Sequence, residues 1–126
     1  MKPSELLNLT DEQKYNGVWL SGVEREGEYK EWWGNKILYK HSNWKNNKLQ
    51  GEYKWWYDDG TLMGHFIYKD GKKWGECKRW YKNGDLYEHS IWKNGKLHGE
   101  YKTWWSDNIL VEHFIYKNGE LIKRII

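Results

Sequence analysis

Alanine is absent from this sequence of 126 residues, and proline and cysteine each occur once, as Pro3 and Cys77. A lone cysteine offers no partner for a disulfide framework within the chain. No apolar run approaches the roughly 20 residues of a membrane-spanning helix. The first residues, MKPSELLNLTDEQ, lack the continuous apolar stretch of a signal peptide. We therefore expect a soluble protein of the cytoplasm.

Aromatic residues are abundant instead: they make up 18% of the chain, whereas all hydrophobic residues together make up only 38%. Eleven Trp and ten Tyr with few aliphatic residues predict a thin structure, in which rings lie flat on a sheet and keep their polar tips in water. The formal charge is +3, and lysine dominates the basic residues. This shortage of arginine argues against a nucleic-acid partner that is recognised by its base sequence.

An internal repeat determines the expected fold, since the dipeptide Gly-Glu recurs every 24 residues. The repeat divides the chain into four units, 27–50, 51–74, 75–98 and 99–122. Each unit has a first turn signal, namely Asn35-Lys36, Asp59-Gly60, Asn83-Gly84 or Asp107-Asn108. Each also has a second turn signal, namely Asn46-Asn47, Asp70-Gly71, Asn94-Gly95 or Asn118-Gly119. Such dipeptides between apolar segments favour type I′ hairpins.

Two strands and two turns per unit predict an all-β fold: an elongated, single-layer antiparallel meander of stacked hairpins with about nine strands. Residues 1–26 are expected to form an N-terminal cap and a degenerate half-repeat. Within that segment, residues 4–14 could form a short helix, because Thr10 and Gln13 match a capping box. Residues 123–126 are expected to be the tail of the final strand.

Turn geometry also predicts which residues face each other. If Asn83-Gly84 is a two-residue turn, Tyr81 lies opposite Leu86 and Trp80 opposite Tyr87. The more uniformly apolar face, expected to be the packed one, then carries Cys77, Tyr81, Leu86, Ser90, Trp92 and Leu97. The other face carries Glu76, Lys78, Trp80, Tyr87, His89 and Ile91.

The consensus of the units, GEYKxWY–xNG–xLxxHxxYKNGKL, resembles MORN-type repeats. It is most similar to the variant repeat of the YwqK-like antitoxin family and to the MORN-repeat families of giant viruses that infect amoebae. The resemblance covers roughly residues 15–122. The unit has 24 residues rather than 23, and the interior glycine of the first strand is missing. The resemblance implies a hairpin stack with a scaffold or partner-binding role and no catalytic residues; a viral source would place it in the host cytoplasm.

Three recurring polar sets could suggest an enzyme or a metal site, and we interpret each as structural. Equivalent histidines, His41, His65, His89 and His113, would lie about 9–10 Å apart, too far to share one metal ion. We expect His89 to lie between Lys78 and Glu100 in a cross-strand polar ladder, with a pH-sensitive contact as the alternative. The repeated Glu and Lys of each first strand preserve the symmetry of the sheet.

Cys77 replaces a Tyr on the packed face and is expected to be a small buried hydrophobe. We therefore predict no enzyme, no cofactor and no metal.

Three surfaces are candidates for binding. A row of aromatic residues could hold a protein partner: Trp32, Trp56, Trp80 and Trp104. A basic rim along the second turns could attract anions: Lys45, Lys48, Lys69, Lys72, Lys73, Lys93, Lys96 and Lys117. The opposite edge is more acidic, with Asp58, Asp59, Asp85 and Asp107. An apolar last strand could pair with a second copy through Leu121, Ile122, Ile125 and Ile126.

These candidates lead to three hypotheses about function. The first is a non-enzymatic scaffold that binds a protein, including itself as a homodimer. The second, which rests on the family resemblance, is an antitoxin-like protein that neutralises a toxin. The third is an adaptor that binds an anionic membrane surface or nucleic acid through the lysine rim, with steep salt dependence as its signature.

Overall fold

A computed structural model describes residues 25–126, which form β-strands and turns without a helix. The predicted helical cap at 4–14 lies outside the described residues. The strands are β1 Gly27–Trp32, β2 Leu38–Lys45, β3 Lys48–Leu49, β4 Gly51–Trp56, β5 Leu62–Lys69, β6 Lys72–Lys73, β7 Gly75–Trp80, β8 Leu86–Lys93, β9 Lys96–Trp104, β10 Leu110–Lys117 and β11 Glu120–Arg124.

All eleven strands belong to one open antiparallel sheet. Its path runs β1-β2-β4-β5-β7-β8-β9-β10-β11, so each strand pairs with the strands that precede and follow it in this order. The short strands β3 and β6 lie off the path and pair with β2 and β5. The prediction of an all-β fold made of a single antiparallel sheet is confirmed.

The second turns have the two-residue geometry that the sequence predicts. Lys93 pairs with Lys96 across Asn94 and Gly95, and both central residues have positive φ, at 51° and 79°. Type I′ turns require this combination because it matches the twist of the strands. Each of these turns also bonds to the unit before it: the Gly95 amide donates to the Lys73 carbonyl at 2.9 Å. The turns therefore stack along one edge of the sheet.

The first turns differ from the prediction, since they contain one residue more. In the third unit the Tyr81 amide donates to the Asp85 carbonyl at 2.8 Å, and the Gly84 amide donates back to the Tyr81 carbonyl at 3.0 Å. Gly84 alone has positive φ in this loop, 94°. This is a type I turn followed by a left-handed residue. The Asn83 side chain stabilises it by accepting a hydrogen bond from the Asp85 amide at 2.9 Å.

The expected pairs Tyr81–Leu86 and Trp80–Tyr87 were therefore wrong, and Leu86 lies opposite Trp80. A bulge between Arg79 and Trp80 then compensates for the longer loop. Beyond the bulge the predicted pairing returns, with Lys78 opposite His89 and Cys77 opposite Ser90. The two shifts cancel, so Cys77, Lys78, His89 and Ser90 lie on the faces that the sequence predicts. Tyr87 was expected on the face of Lys78, and this was wrong: at the bulge its ring packs against Arg79 and Tyr81 of the packed face.

The repeated glycine that opens each unit forms a second irregularity. Gly99 has a φ of 124°, and the pairing of β8 with β9 shifts between Ser90 and Trp92. The shift moves Lys102, rather than Glu100, to the position opposite His89. The expected neighbour of His89 was therefore wrong, because a regular ladder was assumed where the backbone of Gly99 makes a bulge.

The packed face is covered by rings that lie over small side chains. Cys77 and Ser90 are fully buried, and the Trp92 indole donates a hydrogen bond to the Ser90 hydroxyl at 2.8 Å. Trp44 and Ser42 repeat this contact at 3.0 Å. The face is less uniformly apolar than predicted, since Glu88 and Thr103 are buried in it as well.

We predict that Gly95→Ala lowers the free energy of unfolding by about 1 kcal/mol, because alanine is strained at positive φ. Gly34→Ala is the matched control, since a Cβ at Gly34 meets no atom within 4 Å and its φ is not positive. Urea denaturation of both variants measures the difference. Equal stability of the two would contradict the assigned turn geometry.

Candidate functional site

One face of the sheet carries an unbroken row in which lysine and histidine alternate. The cross-strand register runs through Lys30, His41, Lys54, His65, Lys78, His89, Lys102 and His113. The sequence predicted part of this ladder, the pair Lys78–His89. The complete row became visible only with the observed register.

A glutamate carboxylate lies beside each histidine of this row. The Nε2 atoms of His41, His65, His89 and His113 lie 3.5, 3.4, 3.1 and 3.6 Å from the Oε1 atoms of Glu28, Glu52, Glu76 and Glu100. The Lys102 ammonium, 3.2 Å from Glu100, lowers the pKa of that carboxyl through a hydrogen bond and its charge. Each histidine thus has its own carboxylate. In the part of the chain that the structure describes, no group of three or more His, Cys, Asp or Glu could hold a metal ion.

The thiol of Cys77 lies in the packed face and is fully buried. Burial raises its pKa, with smaller opposing contributions from a backbone hydrogen bond to Ile67 and from Lys73. A buried thiol with a raised pKa contains little of the reactive thiolate. The burial of Cys77 therefore fits a role in packing rather than in chemistry.

We predict that Cys77 reacts with a thiol reagent such as DTNB only as fast as the protein unfolds. Its thiol is protonated and inaccessible in the folded state, so urea should accelerate the reaction strongly. Absorbance at pH 8 with and without urea measures both rates. Immediate labelling of the folded protein would show that Cys77 is accessible and would contradict its assigned burial.

The predicted tryptophan row lies on the same face as the lysine–histidine row. Trp32, Trp56, Trp80 and Trp104 lie opposite Leu38, Leu62, Leu86 and Leu110. All four rings are half-buried, and none belongs to the strongly exposed apolar residues. Their role in partner binding stays a prediction.

The predicted lysine rim follows the stacked second turns. Lys45 lies opposite Lys48, Lys69 opposite Lys72 and Lys93 opposite Lys96, and all six are exposed. Lys72, Lys93 and Lys96 line a groove of about 410 Å³ together with Asn94 and Asn118. Like charges in directly opposite positions repel each other. An anion in the groove would relieve that repulsion.

The strongly exposed large apolar residues of the described chain all lie in the last unit and the strand that follows it. They are Trp105, Ile109, Leu121, Ile122, Ile125 and Ile126, with exposed fractions from 47% to 60%. The sequence analysis predicted the last four to be a self-association edge, and this stays a prediction. It missed Trp105 and Ile109, because the signal for Trp105 appears only in the structure.

That signal is a contact between consecutive units. The Trp33 indole donates to the Trp56 carbonyl at 3.0 Å. The hydroxyls of Tyr57 and Tyr81 reach the Trp80 and Trp104 carbonyls at 2.7 and 2.6 Å. Trp105 occupies the same position in the last unit, and among residues 25–126 no further unit lies ahead of it. Its 60% exposure follows from that.

Comparison with known families agrees with this architecture. Three segments, 49–70, 75–94 and 97–118, match the family described as MORN repeat variant and together cover just over half of the chain. A comparison with curated proteins found no match. Within the described residues, no helix has the length and apolarity needed to cross a membrane.

Proposed function

Since this chain belongs to the MORN repeat variant family, whose repeats commonly bind proteins or membranes, we propose that it is a non-enzymatic scaffold whose partner is a second copy of itself. The observation that carries this proposal is the run of exposed apolar side chains in β11 and directly after it, Leu121, Ile122, Ile125 and Ile126. Exposed apolar clusters of this kind mark interfaces on soluble proteins. Among residues 25–126, β11 is the terminal strand of the sheet, so its outer edge has no strand partner there and suits strand addition.

The sequence of β11 favours pairing with its own copy. Ile122 is the bulged residue of β11, since the pairing with β10 shifts between Lys123 and Leu121. An antiparallel pair centred on this residue would place Ile122 beside Ile122 and bring Glu120 near Arg124 of the second copy. The two-fold axis repeats the Glu–Arg contact, and opposite charges in directly opposed positions are stabilising. The whole sheet is antiparallel, so this pairing would continue its pattern.

We predict that the protein is a dimer and that Ile122→Lys makes it a monomer, because the substitution places two lysines against each other at the centre of the contact. Light scattering after size exclusion at two concentrations measures the mass. Thr61→Lys is the matched control, since it adds the same charge at an exposed turn residue away from β11. A wild-type protein that is monomeric at both concentrations would refute self-association through this edge.

A second candidate function is adhesion to anionic membranes, which the groove between Lys72, Lys93 and Lys96 favours. Clustered lysines attract anionic lipid headgroups electrostatically, and this attraction weakens with distance and with added salt. The regular stacking of the second turns provides several such lysine pairs along one edge.

We predict that the protein sediments with phosphatidylserine vesicles at low salt and is released by about 0.5 M NaCl, because salt screens exposed charges. Replacing both Lys72 and Lys96 by Gln should weaken this binding. Replacing the exposed Lys36 on the opposite edge by Gln should leave it unchanged. Binding that survives high salt, or that ignores Lys72 and Lys96, would exclude the rim as the contact.

A further inference from the structure

The second turns stack along one edge of the sheet, and a side chain of the preceding segment supports three of them. In these three turns the backbone amide of the first turn residue donates a hydrogen bond to that side chain. The pairs are Asn46 with a carboxylate oxygen of Glu26, Asp70 with Gln50 Oε1 at 2.8 Å, and Asn118 with His98 Nδ1 at 3.2 Å. The supporting residue always lies 20 positions before the amide that it accepts from.

The turn of the third unit lacks this support. The position that corresponds to Gln50 and His98 is Trp74, whose indole N–H can only donate. The Trp74 ring packs against the Lys69 ammonium instead, which lies 4.8 Å from the ring centroid. Among residues 25–126 the amide of the exposed Asn94 has no hydrogen-bond acceptor. This amide is therefore available to an anion.

Asn94 also lines a groove whose charged residues are all basic. The groove, called the Asn94 groove below, is formed by Lys72, Lys93, Asn94, Lys96 and Asn118. None of the ion pairs among residues 25–126 that involve lysine or arginine includes one of these three lysines. The positive charge of the groove thus lacks a direct carboxylate partner.

The corresponding groove at the first of the second turns differs in both respects. It is lined by Lys45, Asn46, Lys48, Gln50 and Asp70. The carboxylate of Asp70 stands there in place of Asn118, and the Asn46 amide is already bonded to Glu26. The repeat therefore contains its own comparison: two grooves with equivalent lysines, of which the Asn94 groove has the free amide and no carboxylate.

We propose that the Asn94 groove binds the phosphomonoester group of a small soluble molecule. Such a group carries a charge of about −1.5 to −2 at pH 7 and three strong acceptor oxygens. The three lysines supply the opposite charge, while the Asn94 amide and the side-chain amides of Asn94 and Asn118 supply neutral donors. Free backbone amides of turns are a recurrent part of anion sites in proteins. The volume of about 410 Å³ lies within the range of about 300–1,000 Å³ that small-molecule sites occupy.

The position of the groove favours a single small anion over an extended surface. A membrane would contact lysines along the whole edge, whereas the free amide occurs at only one of the four second turns among residues 25–126. The site shares its lysines with the rim that we propose for anionic membranes. Its test uses a soluble probe without vesicles, so failure of either proposal leaves the other standing.

The probe is glycerol 3-phosphate, added to the ¹⁵N-labelled full chain at pH 7.5 with NaCl adjusted to keep the ionic strength constant. The Asn94 amide signal in ¹H–¹⁵N spectra should shift saturably, with half-saturation below about 10 mM. The amides of Asn46, Asp70 and Asn118 are internal controls and should shift much less, because each already has an acceptor. Dimethyl phosphate, which carries one charge, should bind several times more weakly. Equal shifts of all four amides, or no saturable shift at Asn94, would overturn the proposal.

Two variants install features that other turns of the chain carry. Trp74→Gln supplies the acceptor that Gln50 provides to Asp70, and Asn118→Asp supplies the carboxylate that Asp70 places in the corresponding groove. Each should fold, as circular dichroism would verify, and Asn118→Asp should weaken binding about tenfold, since it opposes the phosphate charge. Asn47→Asp is the matched control, because it adds the same charge at an exposed residue of another turn and should bind normally. Unchanged binding by folded Trp74→Gln and Asn118→Asp would refute the site.

Discussion

Residues 25–126 form a sheet of one layer, and within them no second layer covers it, so the side chains of the sheet must themselves shield both faces from water. The structure meets this constraint differently on each side. On the packed face, large rings lie over residues as small as Ser90 and Cys77, and an aromatic side chain can cover 150–250 Å² in that way. On the other face, lysine stems and histidine rings cover the backbone, and a glutamate lies beside each histidine. The abundance of Trp and Tyr and the shortage of aliphatic residues follow from this constraint.

The sequence was sufficient for the fold because the repeat, the turn dipeptides and the aromatic positions all agree. It was insufficient for the register at the first turns. Asn83-Gly84 suits a two-residue turn and equally a three-residue loop with Gly84 in the left-handed region, and the choice depends on the side-chain bond from Asn83 to the Asp85 amide. The compensating bulge at Trp80 is likewise a property of the assembled sheet. The faces were nevertheless predicted over most of the strand, because the two shifts cancel.

Some of the candidate surfaces were likewise predicted from the sequence, and others became visible only in the structure. The lysine rim and the apolar last strand could be identified from the sequence, since turn positions and end positions follow directly from the repeat. Trp105 was missed because it looks like Trp33, Tyr57 and Tyr81, and only the hydrogen bond from each of these to the next unit shows what Trp105 lacks. Trp55 and Gly64 are nine residues apart in sequence and lie opposite each other across the strands. The equivalent positions of the other units carry polar pairs such as Glu31 and Lys40, so an alignment of the units contains this signal.

In a regular repeat every unit presents the same surface to a partner. Specificity for that partner therefore has to arise where the repeat ends or where its pattern is broken. The repeat ends at the C-terminal edge, and its pattern is broken at the Trp55–Gly64 pair. In the proposed dimer the sheet would continue across β11, and about six strand spacings would separate each Trp55–Gly64 pair from the two-fold axis. At about 4.8 Å per strand, the two pairs would lie roughly 60 Å apart. A partner that contacts the same unit of both copies would have to span that distance, and it would then gain affinity from the second contact without any new interface.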